Sequence, residues 1–193
     1  IANRMTKEEA TEMLKDIKDI INLYIFKTYK DIQGWFDYEN IYDQQIQLLK
    51  DGSTIVEIGC WLGKSSCYLA QKIKESGKNI KLFCVDIWDY SKDDPYYHVY
   101  KQTHPDLMKA FNENVKALGL SNYIKPIKGS STNVAKTFEL ASVDFIFLDG
   151  NHHSPFIDED LQIWYPVLKS GGCIAGHDYV DSKDVERAVN NLF

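Results

Sequence analysis

Val56-Glu57-Ile58-Gly59-Cys60-Trp61-Leu62-Gly63-Lys64-Ser65-Ser66 is an apolar run interrupted by one carboxylate, then a turn bracketed by two glycines, then the start of a helical pattern. Strand, glycine turn and helix in that order open a parallel sheet, whose ligands sit beyond the carboxyl ends of the strands. Downstream, residues 81–86, 123–128, 143–149 and 172–176 repeat the short apolar run. Helical patterns starting near Lys64, Asp106, Thr132, Ser154 and Lys183 separate them. Alternation of this kind predicts an α/β domain with helices on both faces of a parallel sheet. In the helix after Asp149, Ser154 reads as the N-cap, Pro155 as its first turn, and Ile157, Leu161, Trp164 and Leu168 as its buried side.

Upstream the texture is different. Thr6 and Glu9 form a capping box, and Ala10, Met13, Leu14, Ile17, Ile20, Ile21 and Tyr24 recur at helical spacing. A second helix is expected over 40–50, stopped by Gly52. Residues 1–52 are therefore read as a helical extension and 53–193 as the ligand-binding domain. Both ends read as cut, since the chain starts at Ile1 and stops at Phe193 inside a helical pattern. The polar and aromatic stretch 91–105 reads equally as a lid or as an ordered surface excursion.

The glycine turn discriminates among ligands. A dinucleotide asks for G-x-G-x-x-G, and Trp61 stands where the pyrophosphate must approach the backbone. A nucleoside triphosphate asks for G-x-x-x-x-G-K-[ST]; here Ile58 occupies the first glycine position. S-adenosylmethionine carries an amino acid end and no phosphate, so a wider G-x-x-x-G loop preceded by a carboxylate serves it. Glu57 would lie near the ammonium group, and Asp86 at the next strand end would take the ribose hydroxyls.

Together with Val85-Asp86-Ile87-Trp88, Phe111-Asn112-Glu113-Asn114 and Phe147-Leu148-Asp149-Gly150-Asn151-His152, the loop resembles class I S-adenosylmethionine-dependent methyltransferases over 53–193. The stretch from Trp164 through Gly171-Gly172 to Gly176-His177-Asp178-Tyr179 resembles the branch of macrocin- and mycinamicin-type small-molecule and sugar O-methyltransferases. The resemblance implies a Rossmann-like sheet of order 3-2-1-4-5 that stops before the family's sixth and seventh strands, leaving the fifth strand as an open edge. It implies cofactor contacts from Glu57, Gly59, Cys60, Trp61, Gly63, Ser65, Ser66, Asp86, Ile87, Trp88, Ser130, Ser131 and Asp149. Many relatives have an acidic residue in place of Ser130. Trp88 and Tyr179 read equally as packing residues or acceptor contacts.

Asp149 and Asp178 end the fourth and fifth strands, neighbours in that topology, so two carboxylates converge with His152 and His177 beside them. Oxygen donors of this kind suit Mg²⁺. By resemblance Asp149, His177 and Asp178 hold a divalent metal, and Asp149 and His152 are the catalytic pair, with His152 as general base. Some relatives have a carboxylate at His177; an imidazole there favours Mn²⁺ or Fe²⁺. The expected acceptor is a hydroxyl of a sugar, polyol or phenol.

Bulk properties narrow the partners. A net charge of −6 with no basic stripe argues against nucleic acid. No apolar run approaches the roughly 20 residues of a membrane span. Cys60, Cys67, Cys84 and Cys173 form no C-x-x-C pair and read as free thiols of a cytoplasmic protein. The open edge strand favours a homo-oligomer. Two other functions fit parts of the pattern: a phosphohydrolase using Lys64, Ser65 and Asp149, and a non-catalytic binding domain on the same fold.

Overall fold

A computed structural model describes residues 6–24, 28–89 and 97–193. Five parallel strands, β1 (Thr54–Ile58), β2 (Lys81–Asp86), β3 (Ile124–Lys128), β4 (Val143–Leu148) and β5 (Leu168–Gly176), form one sheet in the order β3-β2-β1-β4-β5. The order matches the expectation, and among the described residues β5 pairs with β4 alone.

The helices are α1 (Lys7–Tyr24), α2 (Glu39–Leu48), α3 (Lys64–Ser76), α4 (Tyr97–Thr103), α5 (Leu107–Ala117), α6 (Ser131–Ala135), α7 (Phe156–Trp164) and α8 (Lys183–Leu192). No described helix is long and apolar enough to cross a membrane.

Strand side chains alternate between two cores. Ile55, Leu82, Cys84, Phe145 and Phe147 face α2, α3 and α5, while Val56, Ile58, Val85, Ile146 and Leu148 face α6, α7 and α8. Both faces are covered, so the strands are nearly continuous apolar runs. From Ile32 onward the extension shares the first core through Tyr38, Tyr42 and Ile46. By contrast Met13, Leu14 and Ile17 on α1 are exposed.

Local signals account for most helix ends. The Asp106 carboxylate accepts from the Lys109 N–H at the start of α5, and α3 runs between Gly63 and Gly77, both left-handed. Several boundaries differ from expectation: β5 begins at Leu168 rather than at Gly172, so Leu168 belongs to the strand and not to the buried side of the preceding helix. Helix α7 starts at Phe156 with Pro155 in the N-cap position; the Ser154 hydroxyl donates to Asp158 Oδ2 instead (3.0 Å). Helix α2 ends at Leu48 because Lys78 Nζ, from the turn after α3, donates to the carbonyls of Ile46, Gln47 and Leu49 (2.6, 3.1 and 2.7 Å). Of the stretch 91–105, read equally as a lid or as an ordered surface excursion, 97–103 is α4, whose Tyr100 meets Trp61 edge to face at 5.2 Å, while 91–96 lies outside the described residues.

Candidate active site

The site is built at the carboxyl ends of β1, β2, β4 and β5. Gly59 (φ 86°) donates its N–H to the Val85 carbonyl (2.9 Å), and the Asp149 N–H bonds the Ile58 carbonyl (2.8 Å). A Cβ on Gly59 would stand 1.9 Å from the Asp149 carbonyl oxygen. Glycine is therefore required where the two strand ends close on each other. At Gly63 (φ 89°) a Cβ would meet the Phe111 ring at 2.9 Å.

Asp86 organises the loop from below. Its Oδ2 accepts the N–H groups of Cys60 (2.7 Å) and Trp61 (2.9 Å), and its Oδ1 accepts that of Trp88 (2.6 Å). Burial raises its pKa, with these N–H groups opposing. Trp88 is buried, donates Nε1–H to the Trp61 carbonyl (2.9 Å) and packs on Phe111 (4.8 Å). Ile87 is exposed beside it. Trp61, Trp88 and Asp178 all hold positive φ (47°, 41° and 60°), backbone strain that concentrates around this end of the sheet.

Glu57 departs from its expected place at a ligand's ammonium group. It shares the face of Ile55 and is fully buried, accepting from the Tyr42 hydroxyl (2.8 Å), the Ser66 hydroxyl and the Cys84 thiol (3.6 Å). Burial raises its pKa against those donors. Cys60 likewise turns its thiol into the core, and burial pushes that thiol up. Ser65 is buried next to Glu57 and Tyr38. Ser130 takes the N-cap position of α6 with no side-chain bond, and Ser131 Oγ accepts from Trp164 Nε1 (2.7 Å).

At the other end the acidic groups meet imidazoles. Ligand atoms of Asp149, His152 and Asp178 lie within 4.8 Å of one another. His152 Nε2 is 3.2 Å from Asp178 Oδ2 and 4.0 Å from Asp149 Oδ1. His177 Nδ1 is 2.9 Å from Asp178 Oδ2 and 3.7 Å from Asp149 Oδ1. The Ser182 hydroxyl steadies the His152 carbonyl (3.2 Å). Burial carries the Asp149 carboxyl up to about 7, against the Tyr38 hydroxyl and the His177 charge. Burial lowers the pKa of His152, with Asp178 opposing and His177 adding to the shift. Burial works against the His177 cation too, but Asp149, Asp178 and Asp37 outweigh it and raise its pKa. An apolar cavity of about 150 Å³ opens beside both histidines, lined by Leu148, Ile157, Leu161, Ile174 and Val185 among others.

Two contributors were not singled out in the sequence. The Tyr38 hydroxyl donates to Asp149 Oδ2 (2.8 Å), and Asp37 Oδ1 lies 3.1 Å from His177 Nε2. Both come from the turn before α2, and no local motif marks them. Lys64, which a phosphate loop would aim at its ligand, instead donates to the Gly34 carbonyl (3.1 Å).

A sequence-family model described as a methyltransferase domain matches residues 56–179, well over half of the chain. The chain belongs to this methyltransferase family. Its sheet order is that of the class I S-adenosylmethionine-dependent enzymes. Similar solved structures include the O-methyltransferase NovP (16% identity, TM-score 0.59, covering 80% of this chain and 69% of that one). A Podospora anserina methyltransferase bound to S-adenosylhomocysteine is 15% identical with a TM-score of 0.54, covering 100% and 90%. A Thermotoga maritima S-adenosylmethionine-dependent O-methyltransferase is 17% identical with a TM-score of 0.55, covering 91% and 55%. At these identities the likeness is one of fold.

Proposed function

We propose that this methyltransferase is a divalent-metal-assisted O-methyltransferase of the macrocin- and mycinamicin-like branch, acting on a hydroxyl of a small molecule. The observation that carries this reading is the convergence of Asp149, His152, Asp178 and His177 beside the Gly59–Gly63 turn. Two carboxylates and an imidazole nitrogen are a donor set that fits Mn²⁺, Fe²⁺ or Mg²⁺, with nitrogen favouring the first two. Asp149, Asp178 and His177 Nδ1 would hold the ion. Asp86, the loop backbone, Ser130 and Ser131 would hold the cofactor. Glu57, Ser65, Ser66 and the Cys60 thiol would support the loop from inside.

When bound, S-adenosylmethionine supplies an electrophilic methyl on a sulfonium, and the metal supplies positive charge that makes an acceptor hydroxyl more acidic. His152 takes the hydroxyl proton on Nε2; its lowered pKa keeps it neutral and able to accept near pH 7. Asp149 sits between the cofactor loop and the imidazoles and orients the reacting groups, a contribution that is worth several kcal/mol when the geometry is near attack, on the order of the effective-molarity effects of intramolecular reactions.

The apolar lining of the cavity beside His152 supports an acceptor with an apolar ring, such as a phenol, over a free polyol. The net charge of −6 supports a small molecule over nucleic acid or an acidic membrane surface. Four free cysteines support a reducing cytoplasm.

The test is calorimetric titration of S-adenosylmethionine and S-adenosylhomocysteine into the folded protein, with and without Mg²⁺ or Mn²⁺, repeated on Asp86→Ala. Binding that is lost in the variant while its circular dichroism is retained is the expected result. A folded wild-type protein that binds neither compound overturns the reading.

A further inference from the structure

Asp37 and Tyr38 belong to no strand of the sheet, yet they touch the reaction centre from the side opposite α7. The segment presenting them is anchored. Thr28 and Asp31 form a capping box around a short 3-10 turn, and Ile32 is buried. Phe36 packs against Tyr29 (5.8 Å) and Tyr68 (5.1 Å). Tyr38 is buried with its ring stacked on Phe147 at 4.4 Å and tilted against His177 at 5.2 Å. Its hydroxyl is thereby aimed at Asp149 Oδ2 by packing on both sides.

An imidazole offers a lone pair to a metal from one nitrogen only when the other carries the proton, and a carboxylate on that second N–H fixes the tautomer and the ring orientation. Asp37 stands at His177 Nε2 (3.1 Å), and the opposite nitrogen, Nδ1, is the one that faces Asp178 and Asp149. Asp37 is 82% exposed, where an ion pair contributes little to stability. Orientation is the effect left to it.

We propose that Asp37 and Tyr38 are positioning residues for a divalent metal: Asp37 fixes His177 so that Nδ1 faces the ion, and Tyr38 fixes the Asp149 carboxylate. The inference rests on the metal-assisted reading above. It also gives the extension before β1 a function, since that segment closes the site around groups supplied by β4 and β5.

The experiment is titration of Mn²⁺ into the whole chain, with free ion followed by electron paramagnetic resonance, for wild type, Asp37→Ala, Asp37→Asn and Tyr38→Phe. Loss of an outer carboxylate of this kind costs about 10–100-fold in metal affinity. Asp37→Ala is expected to weaken Mn²⁺ by that factor and Tyr38→Phe by a smaller one, with unchanged affinity for S-adenosylhomocysteine in the Asp37 variants. Asp37→Asn is expected to recover most of the affinity, because its amide oxygen still accepts the Nε2–H. Wild-type affinity in both Asp37→Ala and Tyr38→Phe, or an Asp37→Asn as weak as Asp37→Ala, overturns the positioning roles and leaves the metal reading standing. A wild-type protein that binds no Mn²⁺ overturns both.

Discussion

Two pairs of acidic side chains end strands of this sheet, and they are satisfied in different ways. Glu57 and Asp86, on β1 and β2, take their hydrogen bonds from hydroxyls, a thiol and backbone N–H groups fixed by the fold. Asp149 and Asp178, at β4 and β5, face two imidazoles and a phenol. Donors of the first kind cannot leave without unfolding the loop, whereas imidazoles can turn, lose a proton or ligate an ion. The difference separates a carboxylate pair that holds the loop from one that can exchange partners during a reaction. Variants of Glu57 should cost stability, variants of Asp86 should cost cofactor affinity through the loop it holds, and variants around the second pair should cost turnover.

The largest effect expected is at His152. Removal of a positioned general base costs about 10²–10⁴ in rate. His152→Ala should lose turnover by that factor, measured with saturating S-adenosylmethionine and a phenolic acceptor. The ring is partly exposed, so urea unfolding should move by no more than about 0.5 kcal/mol, as for a surface substitution. A variant that unfolds early at undiminished turnover per folded molecule would erase the distinction between the pairs.

Asp160 sharpens it from a third position. This α7 carboxylate is buried, its Oδ2 lies 3.6 Å from where a Cβ on Gly150 would stand, and Ser131 is its hydrogen-bonding neighbour. Burial pushes its pKa up to about 6. With the folded value above the unfolded one, the folded state binds the proton more tightly. The stability this contributes is complete below pH ~4 and is lost as pH rises to ~6. Asp160→Asn keeps the shape and removes the titration. Its stability relative to wild type should therefore climb with pH, by about 3 kcal/mol between pH 4 and pH 8 if each pKa unit is worth about 1.4 kcal/mol. A gap that is the same at pH 4 and pH 8 would show that burial does not raise the Asp160 carboxyl in the folded protein.

Much of this arrangement could be read in the chain. The strand positions follow from apolar runs and glycine turns; the sheet order, and with it the convergence of Asp149, His152, His177 and Asp178, was what the resemblance to class I methyltransferases implied. Glu57, expected at the ligand's ammonium group, lies on the buried face of Ile55 instead, since residues two apart on a strand point the same way. The partners of that carboxylate were not legible. Tyr42 and Ser66 reach it from two helices, and the match is a property of packing across the core. Asp37 and Tyr38 were hidden for the same reason, lying more than a hundred residues from the groups they hold. The role of Gly59 was visible as a turn, but the carbonyl it makes room for is that of Asp149, just beyond β4.

The smallest effect is expected at Tyr42, where the comparison is most exposed to failure because substitution removes a single oxygen. Tyr42 is fully buried, and its hydroxyl donates to Glu57 Oε1. Tyr42→Phe leaves the ring in place against Phe145 and Phe147 and strips one donor from a fully buried carboxylate. A buried polar group that loses its partner costs about 1–3 kcal/mol. Glu57 keeps the Ser66 hydroxyl and the Cys84 thiol, which places the expected loss near the lower end. The loss should appear in urea unfolding, with turnover per folded molecule and metal affinity unchanged. If turnover falls instead at full stability, Glu57 does more than hold the loop: its charge reaches Asp149 and Tyr38, as their shared electrostatics allows.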